Sequence, residues 1–291
     1  MLVLALAIAG ALALTIHVAM LSGGVPFPVS KPPAWARWAN MSLVIAAVLA
    51  FLRLLRRLRR AQPGIQRFLA HTLLSFVILA TLRETFRAAI MNGIVTGGWV
   101  YSAAGLVDPL LRTLVLSVLC AAAAAWVRNA WTLILVALVT TALYMGAQTL
   151  CGLALAPFKA EIAPLAQAAR YTFPYPFHVN VAAYLTFLEP VSGTALLLAL
   201  VWQQLAKSML GRLLAAALLV ALLKGVVGAV ALYSFFSQQG PLLGMLGYSQ
   251  FLFEFLALGF LAGLAWHAYG HSSRESIISA TSPSSMPISP R

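Results

Sequence analysis

The chain has 291 residues, of which 62% are hydrophobic and 9% charged, with a mean hydropathy of +0.93. A soluble domain carries about 25% charged residues, so this composition excludes a water-soluble globule and points to a polytopic membrane protein. The formal net charge of +13 does not indicate nucleic acid, because the basic residues gather at the ends of apolar runs, as the positive-inside rule requires.

Residues 1–22 form one apolar run broken only by Thr15 and His17. It is long enough to cross a bilayer core, which takes about 20 residues. A cleaved signal peptide is the rival reading, but the run lacks a basic leading region and a small-x-small cleavage site. His17 stands alone and reads as a packed helix residue rather than a ligand. The proline-rich stretch 23–40 is a loop, and Trp35 and Trp38 suit an interfacial aromatic belt. A second span runs to Leu52 and ends in RLLRRLRR at 53–60, five arginines in eight residues. With Arg67 close behind, this cluster marks a cytoplasmic side and contact with anionic headgroups.

The third span, 68–95, contains LRETFR at 82–87. Its Arg83, Glu84 and Arg87 each cost about 2.5–3.5 kcal/mol to insert near a helix centre, so they require partners or a wet cavity. Span four covers 105–127, with Asp108 and Arg112 near its start. Arg128 and Asn129 form a very short turn before span five, 130–155. The longest connection, 156–180, opens with a short interfacial helix. It closes in YTFPYPFH at 171–178, which suits a headgroup anchor or an extended lid. Span six, 182–205, carries Glu189-Pro190; span seven, 213–235, carries Lys224; span eight, 248–267, carries Glu254. Cys120 and Cys151 fall inside spans and read as small packing residues. Residues 271–291 are Ser/Pro-rich and read as a disordered tail.

The expected fold is therefore all-α, an eight-span membrane bundle over 1–270. With 53–60 in the cytoplasm, both termini are cytoplasmic, and the location inferred from the Ala/Leu/Arg-rich composition is a bacterial-type inner membrane. Before the tail, the inner flanks then hold nine basic side chains and the outer loops four, Lys31, Arg37, Lys159 and Arg170.

Weak echoes raise a 4+4 parallel internal repeat with halves 1–128 and 129–270. Span three starts RFLA at Arg67 and span seven RLLA at Arg212. Each then carries a base near its middle, Arg83 or Lys224. Tyr101-Ser102 precedes Asp108 as Tyr248-Ser249 precedes Glu254. An even number of spans per half makes the halves parallel about the membrane normal. Chance alignment of Ala/Leu-rich helices is the competing explanation.

Eight charged residues lie within spans: Arg83, Glu84, Arg87, Asp108, Arg112, Glu189, Lys224 and Glu254. Four are basic and four acidic, and all fit the outer half of the bilayer, so they outline a binding chamber if their helices are neighbours. Glu84 and Arg87 (i,i+3) and Asp108 and Arg112 (i,i+4) can pair on one helix face. The bland alternative is a purely structural network, with rim residues snorkelling to headgroups. No nucleotide, dinucleotide, zinc-protease or nucleophile-elbow motif occurs, and the five histidines form no bis-His pattern across two spans, so no cofactor or metal is expected.

Three functions follow. The first is a transporter or solute-binding protein for a small anionic or amphipathic molecule. There Arg83, Arg87, Arg112 and Lys224 contact the anion, and Glu84, Asp108, Glu189 and Glu254 balance or relay charge. The second is a non-catalytic membrane subunit with a cytoplasmic partner at 53–60 or the tail. The third is an intramembrane transferase acting on a lipid-linked substrate, with Glu189 or Asp108 as base and the 171–178 loop as lid. Membrane lipids are partners in every case.

Overall fold

The computed structural model describes residues 1–58 and 64–281, with side chains described for 1–55 and 64–270. Most of the arginine cluster at 53–60 and the side chains of the 271–291 tail lie outside the described residues. Helices make up the bundle: α1 (Leu2–Ser22), α2 (Ala34–Leu58), α3 (Gly64–Leu82), α4 (Thr85–Thr96), α5 (Trp99–Ala104), α6 (Val107–Ala123) and α7 (Ala130–Ala154). They continue with α8 (Ala156–Ile162), α9 (Phe177–Thr186), α10 (Leu188–Leu205), α11 (Met209–Lys224), α12 (Val226–Leu232) and α13 (Pro241–Thr281).

Seven segments are long and apolar enough to cross a membrane, and an eighth results when α11 and α12, bent by 72°, are taken as one span. In order the spans are α1, α2, α3–α4, α5–α6, α7, α9–α10, α11–α12 and α13. This is the all-α membrane bundle that the composition predicts. Three spans expected to be continuous are interrupted: six changes helix at Phe187, and three and seven are broken near their middles by a left-handed residue, Glu84 and Gly225.

The short turn after span four is built as its sequence implies. Asn129 Oδ1 accepts from the Thr132 amide at 2.9 Å while Thr132 Oγ1 accepts from the Asn129 amide at 2.8 Å, a reciprocal cap that starts α7. Inside the spans, hydroxyls bond their own helix, as Ser117 does to Thr113 O at 2.8 Å and Thr194 to Pro190 O at 2.8 Å. Lipid offers them no other acceptor. Trp202, Tyr144, Phe51, Phe187 and Phe255 fill the centre. Trp131, Leu135 and Leu138 of α7 point out of the bundle, as apolar groups facing lipid would.

The pattern of neighbours has a regularity. Spans one and eight pack together, as do five and four; seven with eight, as three with four; two with five, as six with one. Spans three and six match seven and two, six and eight match two and four, and six and seven match two and three. The pairs two–six and three–seven map onto themselves. Exchanging each span for the one four places along thus leaves this set of neighbours unchanged. The connections follow suit. The Lys31 amide donates to Phe236 O at 3.2 Å and the Gln238 amide to Val29 O at 2.9 Å, joining the loop after span one to the loop after span seven. The Arg170 amide donates to Val95 O at 2.8 Å, joining the loop after span five to the end of span three.

Candidate functional site

The polar core forms at the two broken spans. In span three, α3 stops at Leu82 and Glu84 takes a left-handed backbone, φ 58°, the one positive φ outside glycine among the described residues. A left-handed residue with a Cβ costs about 1–2 kcal/mol. In span seven, α11 ends at Lys224 and Gly225 takes φ 88°, where the absence of a Cβ removes that cost. Arg83 and Lys224, the two bases paired by the sequence echo, each stand one residue before a left-handed turn.

The breaks meet. Glu84 accepts from Arg87 Nη1 through one carboxylate oxygen and from Lys224 Nζ through the other. All three side chains are largely buried. The cations also lie over aromatic faces, Lys224 Nζ 4.5 Å from the Phe255 centroid and Arg87 Cζ 5.3 Å from that of Phe187. Arg87 Nε has no hydrogen-bond partner.

Restarting a helix inside a bilayer exposes first-turn amides that water cannot reach. In α4 these are held by another span. Glu189, in the first turn of α10, accepts from the Phe86 amide at 3.1 Å and from the Arg87 amide with its other oxygen. The carboxylate thus occupies the positive end of the α4 dipole. Asn40 of α2 stands in the corresponding place at the other break. A Cβ added at Gly225 would come 3.8 Å from Asn40 Nδ2, and one added at Gly228 would meet the Asn40 side chain at 3.1 Å or less.

Glu254 completes the core. It is 1% exposed, its Oε2 lies 3.5 Å from His17 Nδ1, and its Oε1 has no hydrogen-bond partner. The His17 contact has ion-pair distance without hydrogen-bond alignment, so Nδ1 is also unbonded. His17 packs against Phe251, with ring centroids 4.8 Å apart, and against Phe27 at 5.6 Å.

Of the eight residues singled out in the sequence, five therefore gather: Glu84, Arg87, Glu189, Lys224 and Glu254. Asp108 and Arg112 form a separate rim cluster. Arg112 Nε bonds Asp108 at 2.6 Å, and Lys159 of α8 bonds its second oxygen at 2.6 Å. No described ion pair links this cluster to the core. Arg112 also lines a groove of about 580 Å³ with Arg37, Trp38, Gln148 and Thr149. Arg83 makes no described ion pair with the core or with the rim cluster. Two participants were missed in the sequence, His17 and Lys159. His17 meets Glu254 only because spans one and eight are neighbours, and nothing local signals that. Among the described residues no three His, Cys, Asp or Glu side chains gather as a metal-binding set.

No family profile, curated protein or solved structure matches this chain.

Proposed function

We propose that this is a multi-pass membrane transport or solute-binding protein whose working site is the polar core. The carrying observation is that the breaks of spans three and seven meet at the Glu84–Lys224 ion pair, with Glu189 of α10 seated on the free amides of α4. Discontinuous helices that meet where two repeats adjoin are the usual architecture of a solute site in secondary transporters.

The ligand class follows from the donors. The first-turn amides of α4 already hold one carboxylate, that of Glu189. A small carboxylate or phosphate displacing Glu189 would find the same two amides at the positive end of the α4 dipole. The exchange symmetry of neighbours supports a 4+4 parallel repeat, with its axis passing the two–six and three–seven contacts, so the Glu84–Lys224 pair lies near that axis. The cytoplasmic placement of both termini rests on the distribution of basic residues, and the inner-membrane location on the Ala/Leu/Arg-rich composition.

Reconstitution in proteoliposomes tests this reading, using a labelled panel of monocarboxylates, dicarboxylates, phosphate and amphipathic organic anions. Saturable flux of at least one member is expected. Arg87→Gln and Lys224→Met should abolish it while the protein still inserts and elutes as wild type. No flux above empty vesicles, or undiminished flux in both variants, would sink the proposal. The structural-subunit alternative draws on the full pairing of Glu84 and predicts the first of those results together with loss of stability. Both oxygens of Glu189 and of Asp108 are hydrogen-bonded, so neither is placed as the free base of a transferase.

A further inference from the structure

The charges of the core do not balance. Its acids are Glu84, Glu189 and Glu254, and its bases are Arg87 and Lys224. Both bases are committed to Glu84. Glu189 is held by two backbone amides. Among the described residues Glu254 has no Lys or Arg within ion-pair distance, only the His17 ring nitrogen at 3.5 Å.

Among the described residues, no element around Glu254 supplies an uncommitted cation. From α1 comes His17, from α3–α4 the committed Glu84 and Arg87, and from α11 the committed Lys224. Span six offers Glu189, already capped, and Phe187, whose ring meets Phe255 at 6.2 Å. An ionised carboxylate this buried and unpaired costs several kcal/mol, and one bound proton removes the imbalance. Buried Glu and His in a membrane bundle are the groups that hold and relay protons.

We infer that the His17–Glu254 pair binds one exchangeable proton and forms the coupling-ion site of the protein. Polar side chains lead from the pair toward the loop between spans one and two. Gln250 lies one turn from Glu254 on α13, donates to Pro26 O at 3.2 Å, and keeps its own Oε1 unpartnered. Beyond it Tyr248 hydrogen-bonds Ser30 in the loop between spans one and two. The proton enters from that loop face, converting carboxylate to carboxylic acid or imidazole to imidazolium. Displacement or binding of a solute at Glu84 and Arg87 changes the field at Glu254, which links solute to proton.

The inference deepens the transport reading, and its test needs no solute. Purified protein in nanodiscs is titrated with pH while infrared spectroscopy follows the carboxylic C=O stretch and ¹⁵N NMR follows histidine. At neutral pH the wild type should show one protonated carboxyl or one buried imidazolium, lost reversibly as pH rises. Glu254→Gln should remove that signal, and His17→Gln should move its midpoint. Absence of both signals in the wild type would overturn the inference, as would a signal that survives Glu254→Gln unchanged. If Glu254→Gln does not fold, the wild-type spectra and His17→Gln decide. Failure of the anion-flux assay leaves this result standing, and failure here leaves an uncoupled carrier.

Discussion

Glu84 adopts a backbone conformation that glycine would hold without cost, and the reason lies in its side chain. The left-handed turn aims one carboxylate at two cations from different spans, Arg87 and Lys224. Removing that carboxylate leaves two cations uncompensated in a low-dielectric interior. Glu84→Gln should therefore lower stability by about 3–5 kcal/mol in detergent unfolding. The double variant Glu84→Gln/Lys224→Met should be milder than the two single losses summed, by about 1–3 kcal/mol, because the second change removes one of the stranded charges. Strict additivity would mean the pair is not coupled. Arg83, one residue earlier in the chain, is in none of the described ion pairs, so a one-residue step at the break separates a paired charge from one outside the network.

Among elements, the broken helices depend on their neighbours to close the breaks. The first-turn amides of α4 are satisfied by α10 through Glu189, so Glu189→Ala should weaken the start of α4 by about 0.5–2 kcal/mol. Hydrogen exchange at the Phe86 and Arg87 amides should quicken selectively, and unchanged protection there would show that another acceptor substitutes. Close approach governs the α11–α13 contact. A Cβ at Gly259 would fall 2.6 Å from Ala217 Cα and 2.9 Å from Ala216 O, backbone atoms that cannot step aside. Gly259→Ala should cost about 1–3 kcal/mol or more. Gly146 on α7 has nothing within 4 Å of such a Cβ, so Gly146→Ala should be neutral or stabilising by about 1 kcal/mol at most. Equal effects at the two sites would contradict the packing.

At the scale of the whole molecule, taking the bent α11–α12 pair as one span would put successive connections on opposite sides of the membrane. In a cysteine-free background, an impermeant thiol reagent should reach Lys31→Cys, Ala169→Cys and Gln239→Cys from one side of the membrane, and Asn129→Cys and Lys207→Cys from the other. Labelling of both groups from one side would refute the path. Ser30→Cys with Ser237→Cys should form a disulfide under oxidation, since these residues make an isolated antiparallel bridge. Val95→Cys with Arg170→Cys should do the same, since their backbones are hydrogen-bonded at 2.8 Å. The sequence by itself determined the membrane class, the helical architecture and the positions of the spans, because a bilayer demands about 20 apolar residues per crossing and that demand is local. It also located the costly charges, since a charge within an apolar run is visible wherever its partner lies. Only the tertiary structure decided which charges meet. Glu84 gives no local sign of a left-handed turn, and Asp108 and Arg112 look as deep as Glu189 until α8 brings Lys159 to them. His17 reads as inert until spans one and eight lie side by side. Those outcomes depend on which helices are neighbours, and neighbour choice comes from the summed packing of many weak contacts between distant parts of the chain, which no short stretch of sequence records.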